Sequence, residues 1–449
     1  MNLESYKNIF FIGIGGIGMS ALASYFFKAK KQIAGYDKTP TAITASFQAK
    51  GVNIIFKDIV SEIDANFLDA QHTLVIATAA IPKTNTILNF FKTQNFKVIK
   101  RAEALGTITN NTKCLAVAGT HGKTTTSSIL GHLMLESQQS VTAFFGGISE
   151  NYKSNLIQSG NEFTVVEADE FDRSFLELRP DLACITSIDA DHLDIYGNND
   201  RLIAAFKEFS ALLPSPDKLF VHASVPIKGL CYAVETDADF KAINVKIKNG
   251  GYEFDLVTPN NTLKNLRFFI PGKHNLSNAV AAMAMAIECG CDQGLLSSAL
   301  QSYKGVERRF SYKINQESFV FIDDYAHHPK EIDAVWEAVY EMYPQKKTTA
   351  VFQPHLFSRT SDFADDFAHS LSKFDAVLLL DIYPAREQPI AGITSAWLLE
   401  KIKAKTKQLV QKTNLAEHIK AIGNPVLITM GAGDIGAEVE SLTKTLIHA

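Results

Sequence analysis

The 449-residue sequence has few cysteines, no long apolar run and no large excess of one charge. Its five cysteines are scattered, which excludes a disulfide-rich scaffold and favours free thiols in a reducing compartment. The formal net charge is −4, which argues against a nucleic acid or a membrane surface as the main partner. No run of about 18 apolar residues exists, and the N-terminus lacks the features of a signal peptide. We therefore expect a cytoplasmic protein without membrane insertion.

Apolar runs of strand length alternate with amphipathic helical stretches, which is typical of parallel α/β sheets. Examples are Ile9–Ile14, Leu115–Ala118 and Ala350–Gln353. The chain length predicts about three domains. Polar stretches divide the sequence into an N-terminal domain (1–108), a central domain (109–306) and a C-terminal domain (307–449). The β-rich segment 218–270 predicts an antiparallel sheet inserted in the central domain.

The first motif is FFIGIGGIGMSALASYFF, from Phe10 to Phe27, in which Gly13, Gly15 and Gly18 fit the pattern G-x-G-x-x-G. Such a turn cradles a diphosphate at a helix N-terminus, and Asp37 follows at the spacing of a dinucleotide-binding unit. Taken alone, the motif indicates an NAD(P) oxidoreductase.

A second glycine loop, GTHGKTT (Gly119–Thr125), follows the predicted strand CLAVA and precedes a helix. Lys123 supplies a point charge for terminal phosphates, and Thr124 offers a hydroxyl to Mg²⁺. Val117 stands where the full phosphate-loop pattern has a glycine, so the loop is a variant. An ordinary tight turn with a helix cap is the alternative. The motif predicts an ATP site, which hydride transfer does not need.

Polar clusters end the next two apolar strands. VVEADEFD contains Glu167, Asp169, Glu170 and Asp172, and in ACITSIDADHLDIYG His192 lies between two aspartates. Carboxylates at the carboxyl edge of a parallel sheet point toward bound ligands, and Mg²⁺ prefers hard oxygen ligands. Two clusters beside a phosphate loop predict two Mg²⁺ ions; a solvated acidic loop is the alternative.

GTHGKTTT, EADE, ADHLD, PGKHNLSNA, GVERRF, DDYAHHP and FQPHLFSRT occur in the order in which Mur ligases carry them, and the sequence resembles that family over nearly its whole length. The resemblance implies an α/β fold with an N-terminal Rossmann-like parallel sheet, a central phosphate-loop ATPase domain with a small β insertion, and a C-terminal Rossmann-like domain. The diphosphate in the first turn would then belong to a UDP-sugar and not to NAD.

The activity implied by the resemblance is ATP-dependent amide formation in the synthesis of peptidoglycan precursors. L-Alanine would be joined to the carboxylate of UDP-N-acetylmuramate through an acyl phosphate, by a monomer or weak dimer. FQPHLFSRT and DIYPAREQPI favour this activity over the addition of a recycled tripeptide. An NAD(P) oxidoreductase and a non-catalytic nucleotide-binding protein are the alternatives from other classes.

The resemblance also implies roles for individual residues. The expected catalytic residues are Lys123 on the β- and γ-phosphates, Glu167 and His192 as metal ligands, and Arg309 on the γ-phosphate. Thr124 would join Glu167 on one Mg²⁺. The expected ATP site is Gly119, Thr120, His121, Gly122, Lys123, Thr124, Thr125, His274, Asn275, Arg309 and Asp324.

Within that set, His274 and Asn275 would hold the adenine and Asp324 the ribose, although Asn275 could also cap its helix. The expected UDP-sugar site is Gly13, Gly15, Gly16, Gly18, Asp37, Thr78, Arg101 and His121. The expected amino-acid site is Tyr325, His328, His355 and Arg359, with Arg386 as a further candidate.

The sequence departs from the family pattern in three places. Leu356 stands where many relatives have arginine, Phe145 where they often have asparagine, and Lys207 does not match the carbamylated lysine of several members.

Overall fold

The computed structural model describes residues 3–189, 196, 198–248, 250–385 and 387–447. The chain forms two compact units. Unit 1 comprises residues 1–245, 254–267 and 277–303, and unit 2 comprises residues 246–253, 268–276 and 304–449. The boundaries of the three domains predicted from the sequence remain a prediction.

The strands are Asn8–Ile12 (β1), Gln32–Tyr36 (β2), Asn53–Ile55 (β3), Thr73–Ala77 (β4), Lys97–Lys100 (β5), Lys113–Ala118 (β6), Val141–Ser149 (β7), Ser154–Gln158 (β8), Phe163–Glu167 (β9), Leu182–Ile185 (β10), Leu219–His222 (β11), Leu230–Val234 (β12), Phe240–Lys248 (β13), Gly251–Val257 (β14), Thr262–Phe268 (β15), Ser311–Asn315 (β16), Val320–Asp324 (β17), Thr348–Phe352 (β18), Ala376–Leu379 (β19), Thr406–Leu409 (β20) and Val426–Met430 (β21).

The described α-helices are Ile17–Lys28, Ala42–Ala49, Thr86–Thr93, Arg101–Thr109, Lys123–Glu136, Asn199–Ser210, Lys273–Glu288, Gln293–Ser302, Pro329–Met342, Phe357–Asp362, Ala364–Leu371, Ser395–Lys401, Leu415–Ile422 and Ile435–Leu446. None of these helices has both the length and the apolar character needed to cross a membrane.

The N-terminal sheet is parallel, with the order β3-β2-β1-β4-β5. All five residues of β1 are buried, as expected for a strand covered on both faces. The chain continues from β1 to β2 on one side, and β4 lies on the other side. The first glycine turn follows β1 and therefore lies where the strand order reverses, which is the usual ligand position in such sheets.

The central sheet has ten strands in the order β15-β14-β13-β12-β11-β10-β6-β9-β7-β8. β6 lies between β10 and β9 and is parallel to both, so the second glycine loop follows a central strand. The predicted antiparallel insertion is wrong for β11 to β13. Helix Asn199–Ser210 leads from β10 to β11, and β11, β12 and β13 pair in parallel, which extends the central sheet.

The C-terminal sheet has the order β16-β17-β21-β18-β19-β20. β16 is antiparallel to β17, and the other pairs are parallel. The segments after β17 and β18, which carry the predicted amino-acid site, therefore leave the same edge of the sheet on either side of β21.

The cysteines are free thiols, as predicted, and three of the five are buried. Burial raises the pKa of each one, to about 12 for Cys114, Cys184 and Cys289 and to about 11 for Cys291. These thiols are therefore protonated at neutral pH.

Candidate active site

The first glycine turn is held in shape by an aspartate. Gly13 has φ +89°, which favours glycine, and the Gly15 N–H donates to Asp37 Oδ2 at 2.8 Å. A Cβ on Gly15 would lie 2.9 Å from the same oxygen. Gly16 caps helix Ile17–Lys28 without a side-chain hydrogen bond. Because the first N–H groups of a helix have no partner within it, this end suits an anion.

Arg101 and Thr78 lie beside this turn. A Cβ on Gly18 would be 2.9 Å from Arg101 Nη1, and a Cβ on Gly13 would meet the Thr78 side chain. The Arg101 guanidinium also lies 3.5 Å from Asp169 Oδ2, in the segment after β9. The structure thus brings together the predicted UDP-sugar residues Gly13, Gly15, Gly18, Thr78 and Arg101.

The phosphate loop joins β6 to helix Lys123–Glu136. Gly119 has φ +131° and Gly122 has φ +84°, which are backbone conformations that residues other than glycine rarely adopt. Ser187 Oγ accepts from the His121 N–H at 2.9 Å and lies 2.9 Å from Thr120 Oγ1. The Thr120 hydroxyl and the His121 N–H already have Ser187 as a partner. We therefore expect the phosphates to meet the N–H groups at the start of helix Lys123–Glu136.

Lys123 is paired inside the loop. Its ammonium donates to Gly119 O at 2.6 Å and to the two carboxylate oxygens of Glu170 at 2.7 and 3.0 Å. The Glu170 side chain is 0% exposed. Burial lowers the pKa of Lys123, but the carboxylates of Glu170, Asp169 and Glu167 outweigh it, so its pKa is raised. The lysine is therefore a fixed cation.

Glu167 and Thr124 form a compact oxygen cluster. Thr124 Oγ1 donates to Glu167 Oε2 at 3.2 Å, Ser127 Oγ donates to Oε1 at 3.4 Å, and the Gly146 N–H also donates to Oε1. Burial raises the pKa of Glu167. In the described part of the chain no three His, Cys, Asp or Glu side chains gather into a metal-binding group. His192, the predicted ligand of a second ion, lies outside the described residues.

A cavity of about 350 Å³ extends from the first glycine turn to Glu167 within unit 1. Gly16, Gly18 and Arg101 line it on the side of the first turn, and Glu167 and Asp169 line it on the side of the phosphate loop. A ligand held at the first turn can therefore reach toward Glu167.

The predicted adenine residues lie in unit 2. Helix Lys273–Glu288 begins two residues before Asn275, and the Asn275 amide donates to Pro271 O at 2.7 Å. Asn275 therefore does not cap the helix, and that alternative is wrong. His274 lies next to Gly272, where an added Cβ would meet its ring. Their adenine contact remains a prediction.

Asp324 is buried at the end of β17. Its carboxylate oxygens accept from the N–H groups of Phe310 and Ala326, both at 2.7 Å. Burial raises its pKa to about 6. The guanidinium carbon of Arg309 lies 5.3 Å from the centre of the Tyr325 ring. Asp324 thus holds the segments that carry Arg309 and Tyr325, and its ribose contact remains a prediction.

His328 has a structural contact that the sequence did not reveal. It caps helix Pro329–Met342, where its Nδ1 accepts from the Lys330 N–H at 3.4 Å and Glu331 completes a capping box. Its ring centre lies 4.8 Å from that of Phe363.

The His355 ring centre is 5.8 Å from that of Tyr383 and 6.1 Å from that of His327. Burial lowers the pKa of His327, and nearby Arg359 lowers it further, against the effect of Glu331. The structure therefore also brings His327 to the predicted amino-acid residues. Arg386 lies outside the described residues.

Comparison with known proteins identifies the family of this chain. The Mur ligase family catalytic-domain model matches residues 8–113, the Mur ligase middle-domain model residues 117–286, and the Mur ligase glutamate-ligase-domain model residues 308–434. The chain belongs to the Mur ligase family.

Individual relatives cover almost the whole chain. A UDP-N-acetylmuramate–L-alanine ligase of Christiangramia forsetii is 56% identical and covers 100% of this chain and 99% of its own. The crystal structure of a UDP-N-acetylmuramate-alanine ligase of Thermotoga maritima matches with a TM-score of 0.83 at 26% identity, over 98% of this chain and 99% of its own. A murein peptide ligase of Psychrobacter arcticus has a TM-score of 0.69 at 20% identity over 98% of both chains, which shows the fold alone.

Two departures of this Mur ligase from the family pattern have a structural context. Phe145 is 2% exposed, and a Cβ on Gly131 would be 3.0 Å from its ring, so Phe145 packs against helix Lys123–Glu136. Lys207 is exposed on helix Asn199–Ser210.

Sequence reasoning missed two residues of this Mur ligase site. Glu170 was seen only as one carboxylate of a cluster, and the second glutamate of EADE was the available signal. Asn278, from PGKHNLSNA, approaches the phosphate loop so closely that a Cβ on Gly122 would be 2.6 Å from its Oδ1. The sequence signal for Asn278 was a second asparagine three residues after Asn275, about one helical turn later.

Proposed function

We propose that this Mur ligase joins L-alanine to the carboxylate of UDP-N-acetylmuramate, converts ATP to ADP and phosphate, and acts in the cytoplasm on peptidoglycan precursors. The observation that carries the proposal is the cavity of about 350 Å³ that the first glycine turn shares with Glu167. A substrate with a diphosphate at one end and a carboxylate at the other fits this arrangement.

The first step is phosphorylation of the substrate carboxylate. One carboxylate oxygen attacks the γ-phosphorus of ATP, and the bond from that phosphorus to the bridging oxygen of ADP breaks. An acyl phosphate and ADP result. Two anions meet in this step, so fixed cations lower the barrier. Lys123 is held charged beside the loop and is assigned to the β- and γ-phosphates, with Arg309 assigned to the γ-phosphate.

The oxygen cluster suits Mg²⁺. The Thr124 hydroxyl and the Glu167 carboxylate are hard oxygen donors 3.2 Å apart, and Mg²⁺ commonly takes one or two protein oxygens together with substrate phosphates. Thr124 and Glu167 would hold this ion, and it would supply charge neutralisation at the phosphates. A second ion at His192 remains part of the proposal.

The second step forms the amide. The uncharged amine of L-alanine attacks the acyl carbon, a tetrahedral intermediate forms, and the carbon–oxygen bond to phosphate breaks as the amine loses a proton. We assign the amino-acid carboxylate to Arg359, whose planar guanidinium can pair with two oxygens. Tyr325, His328 and His355 are assigned to the walls around the methyl group.

Phosphate release in the presence of ATP, Mg²⁺ and UDP-N-acetylmuramate tests the proposal across a panel of amines. We expect release with L-alanine and a preference over glycine of roughly 10- to 200-fold, the range for one methyl group. A preference for L-alanyl-γ-D-glutamyl-meso-diaminopimelate would instead establish a recycling ligase. Tight binding of NAD without binding of the UDP-sugar would overturn the proposal altogether.

A further inference from the structure

Asn155 connects the central sheet to the start of the helix that follows the first glycine turn. Asn155 lies on β8, at the edge of the central sheet, and is 5% exposed. Its amide donates to Ile17 O at 2.7 Å and to Ser20 Oγ at 2.8 Å. Both N–H groups of the amide are thereby used, and the Ile17 carbonyl fixes which side of the amide faces the helix.

The acceptors lie in the first turn of helix Ile17–Lys28. Ser20 is 2% exposed, and its hydroxyl donates to the same Ile17 carbonyl at 2.8 Å. Gly16, which caps this helix, supplies no side-chain hydrogen bond. The contact from β8 is therefore a polar anchor at the end of the helix that faces the diphosphate, and it leaves the N–H groups there free to meet an anion.

Aromatic packing seats the same helix on the central sheet. The Tyr25 ring centre lies 5.6 Å from that of Phe144 on β7, the strand next to β8. Rings of this kind exclude water but do not fix a helix along its own axis, because apolar contacts are not directional. Two hydrogen bonds from a buried amide do fix that position.

The position of helix Ile17–Lys28 along its axis matters because the cavity has two ends. Ile17 and Gly18 line it near the first turn, and Glu167 lines it near the phosphate loop. A substrate bound at both ends needs a set distance between them, and a displacement of about 1 Å can cost about 100-fold in rate.

We propose that Asn155 is a positioning residue that sets the distance from the UDP-sugar turn to the phosphate loop. The inference rests on the proposed function. Asn155 contacts neither substrate; it acts through Ile17 and Ser20, so it should affect ligands that span the cavity and spare those that occupy one end.

Asn155→Leu tests this with three ligands, because leucine keeps the branching and the number of heavy atoms of the side chain and removes both hydrogen bonds. We expect kcat/KM for UDP-N-acetylmuramate to fall about 10- to 100-fold. The dissociation constants of UDP alone and of the β,γ-methylene analogue of ATP, measured by calorimetry, should stay within about twofold, since each occupies one end. Asn151→Leu is the matched control, because Asn151 lies between β7 and β8 and its amide donates to Ser302 O at 2.9 Å, away from the turn.

Ser20→Ala is the second variant if Asn155→Leu does not fold, and it should lower kcat/KM for the UDP-sugar with the same selectivity. An unchanged kcat/KM in a folded variant would overturn the inference. The inference would also be overturned if the affinities for UDP and for the ATP analogue fell by the same factor as kcat/KM for UDP-N-acetylmuramate, because that pattern indicates general damage to the fold. If the wild type binds UDP but does not turn over UDP-N-acetylmuramate, the proposed function fails and this inference fails with it.

Discussion

The lysine of the phosphate loop is paired with a buried carboxylate that follows β9. Lys123 shares its ammonium between Gly119 O and the buried Glu170 carboxylate. Removing one partner of a buried ion pair leaves the other charge without compensation, which is more costly than removing both. Replacing Lys123 alone should therefore affect stability as well as turnover.

Lys123→Ala should abolish turnover and also destabilise the protein. Phosphate release should fall by several orders of magnitude, because a cation at the transferred phosphate is lost. The free energy of unfolding should fall by about 3–5 kcal/mol, because Glu170 is left buried without its partner. Urea unfolding and phosphate release measure the two effects separately.

Lys123→Met combined with Glu170→Gln is the control for this prediction. It removes both charges, so it should recover most of the lost stability and remain inactive. Turnover within about tenfold of the wild type in either variant would contradict the assignment of the ATP site.

Asp324 gives the protein a pH-dependent stability. Its pKa is raised by burial from 3.8 to about 6, so the folded protein holds this proton more tightly than the unfolded chain does. Stability is therefore gained as the pH falls through 6. Between pH 7 and 5 the free energy of unfolding of the wild type should rise by about 1 kcal/mol relative to Asp324→Asn. Urea titrations of both proteins at the two pH values measure the difference. An equal change in the free energy of unfolding for the wild type and Asp324→Asn would contradict the prediction.

The sequence located the phosphate loop between a strand and a helix because its residues are contiguous, and the roles of those residues stay a prediction. Lys123 and Thr124 come from one loop, and Glu167 ends a neighbouring strand whose apolar pattern was plain. The contacts of Asp324 and His328 were not predictable in this way. They depend on backbone N–H groups whose direction is set by turn geometry, which residue types alone do not specify.

At the scale of elements, several predicted site residues also determine where a helix begins. His328 both caps helix Pro329–Met342 and belongs to the predicted amino-acid site. Asparagine is a good helix cap and alanine is a poor one, so the two roles can be separated.

His328→Ala should lower the free energy of unfolding by about 1 kcal/mol, whereas His328→Asn should change it by less than about 0.5 kcal/mol. If His328 also lines the alanine pocket, both variants should raise the KM for L-alanine. Thermal unfolding and steady-state kinetics on the same preparations measure both quantities. Equal stability of the two variants would contradict the capping role.

Pairing of distant strands was the weakest part of the prediction at this scale. Apolar runs located the strands to within a few residues, as for Leu115–Ala118 inside β6. The segment 218–270 is β-rich and polar, which suggested an antiparallel sheet inserted in the central domain. β11 to β13 instead pair in parallel and extend the central sheet, because the parallel partner of β11 is β10, a strand on the other side of a helix. Local patterns do not reveal such partners.

At the scale of the whole molecule, the first glycine turn and the phosphate loop belong to the same compact unit. The predicted residues for the amino acid belong to the other unit. The predicted adenine and ribose residues His274, Asn275 and Asp324 also belong to that unit, so UDP-N-acetylmuramate is the substrate assigned to unit 1 alone. Its binding should therefore not depend on L-alanine.

UDP-N-acetylmuramate should bind in the absence of L-alanine, whether or not the β,γ-methylene analogue of ATP is present. Calorimetric titrations of UDP-N-acetylmuramate, with and without the analogue, measure this. Gly15→Val should abolish binding of the UDP-sugar, because its Cβ would lie 2.9 Å from Asp37 Oδ2, and it should leave the ATP analogue within about twofold. A requirement for L-alanine in either titration would contradict the prediction.

The five protonated thiols of this chain also make it convenient to label. Only the thiolate attacks maleimides and iodoacetamides, so buried cysteines with raised pKa values react slowly at neutral pH. A single cysteine introduced at an exposed site, such as Tyr340, would react first. Fluorophores could thus be placed on one unit at a time once the partly exposed Cys231 and Cys289 are replaced.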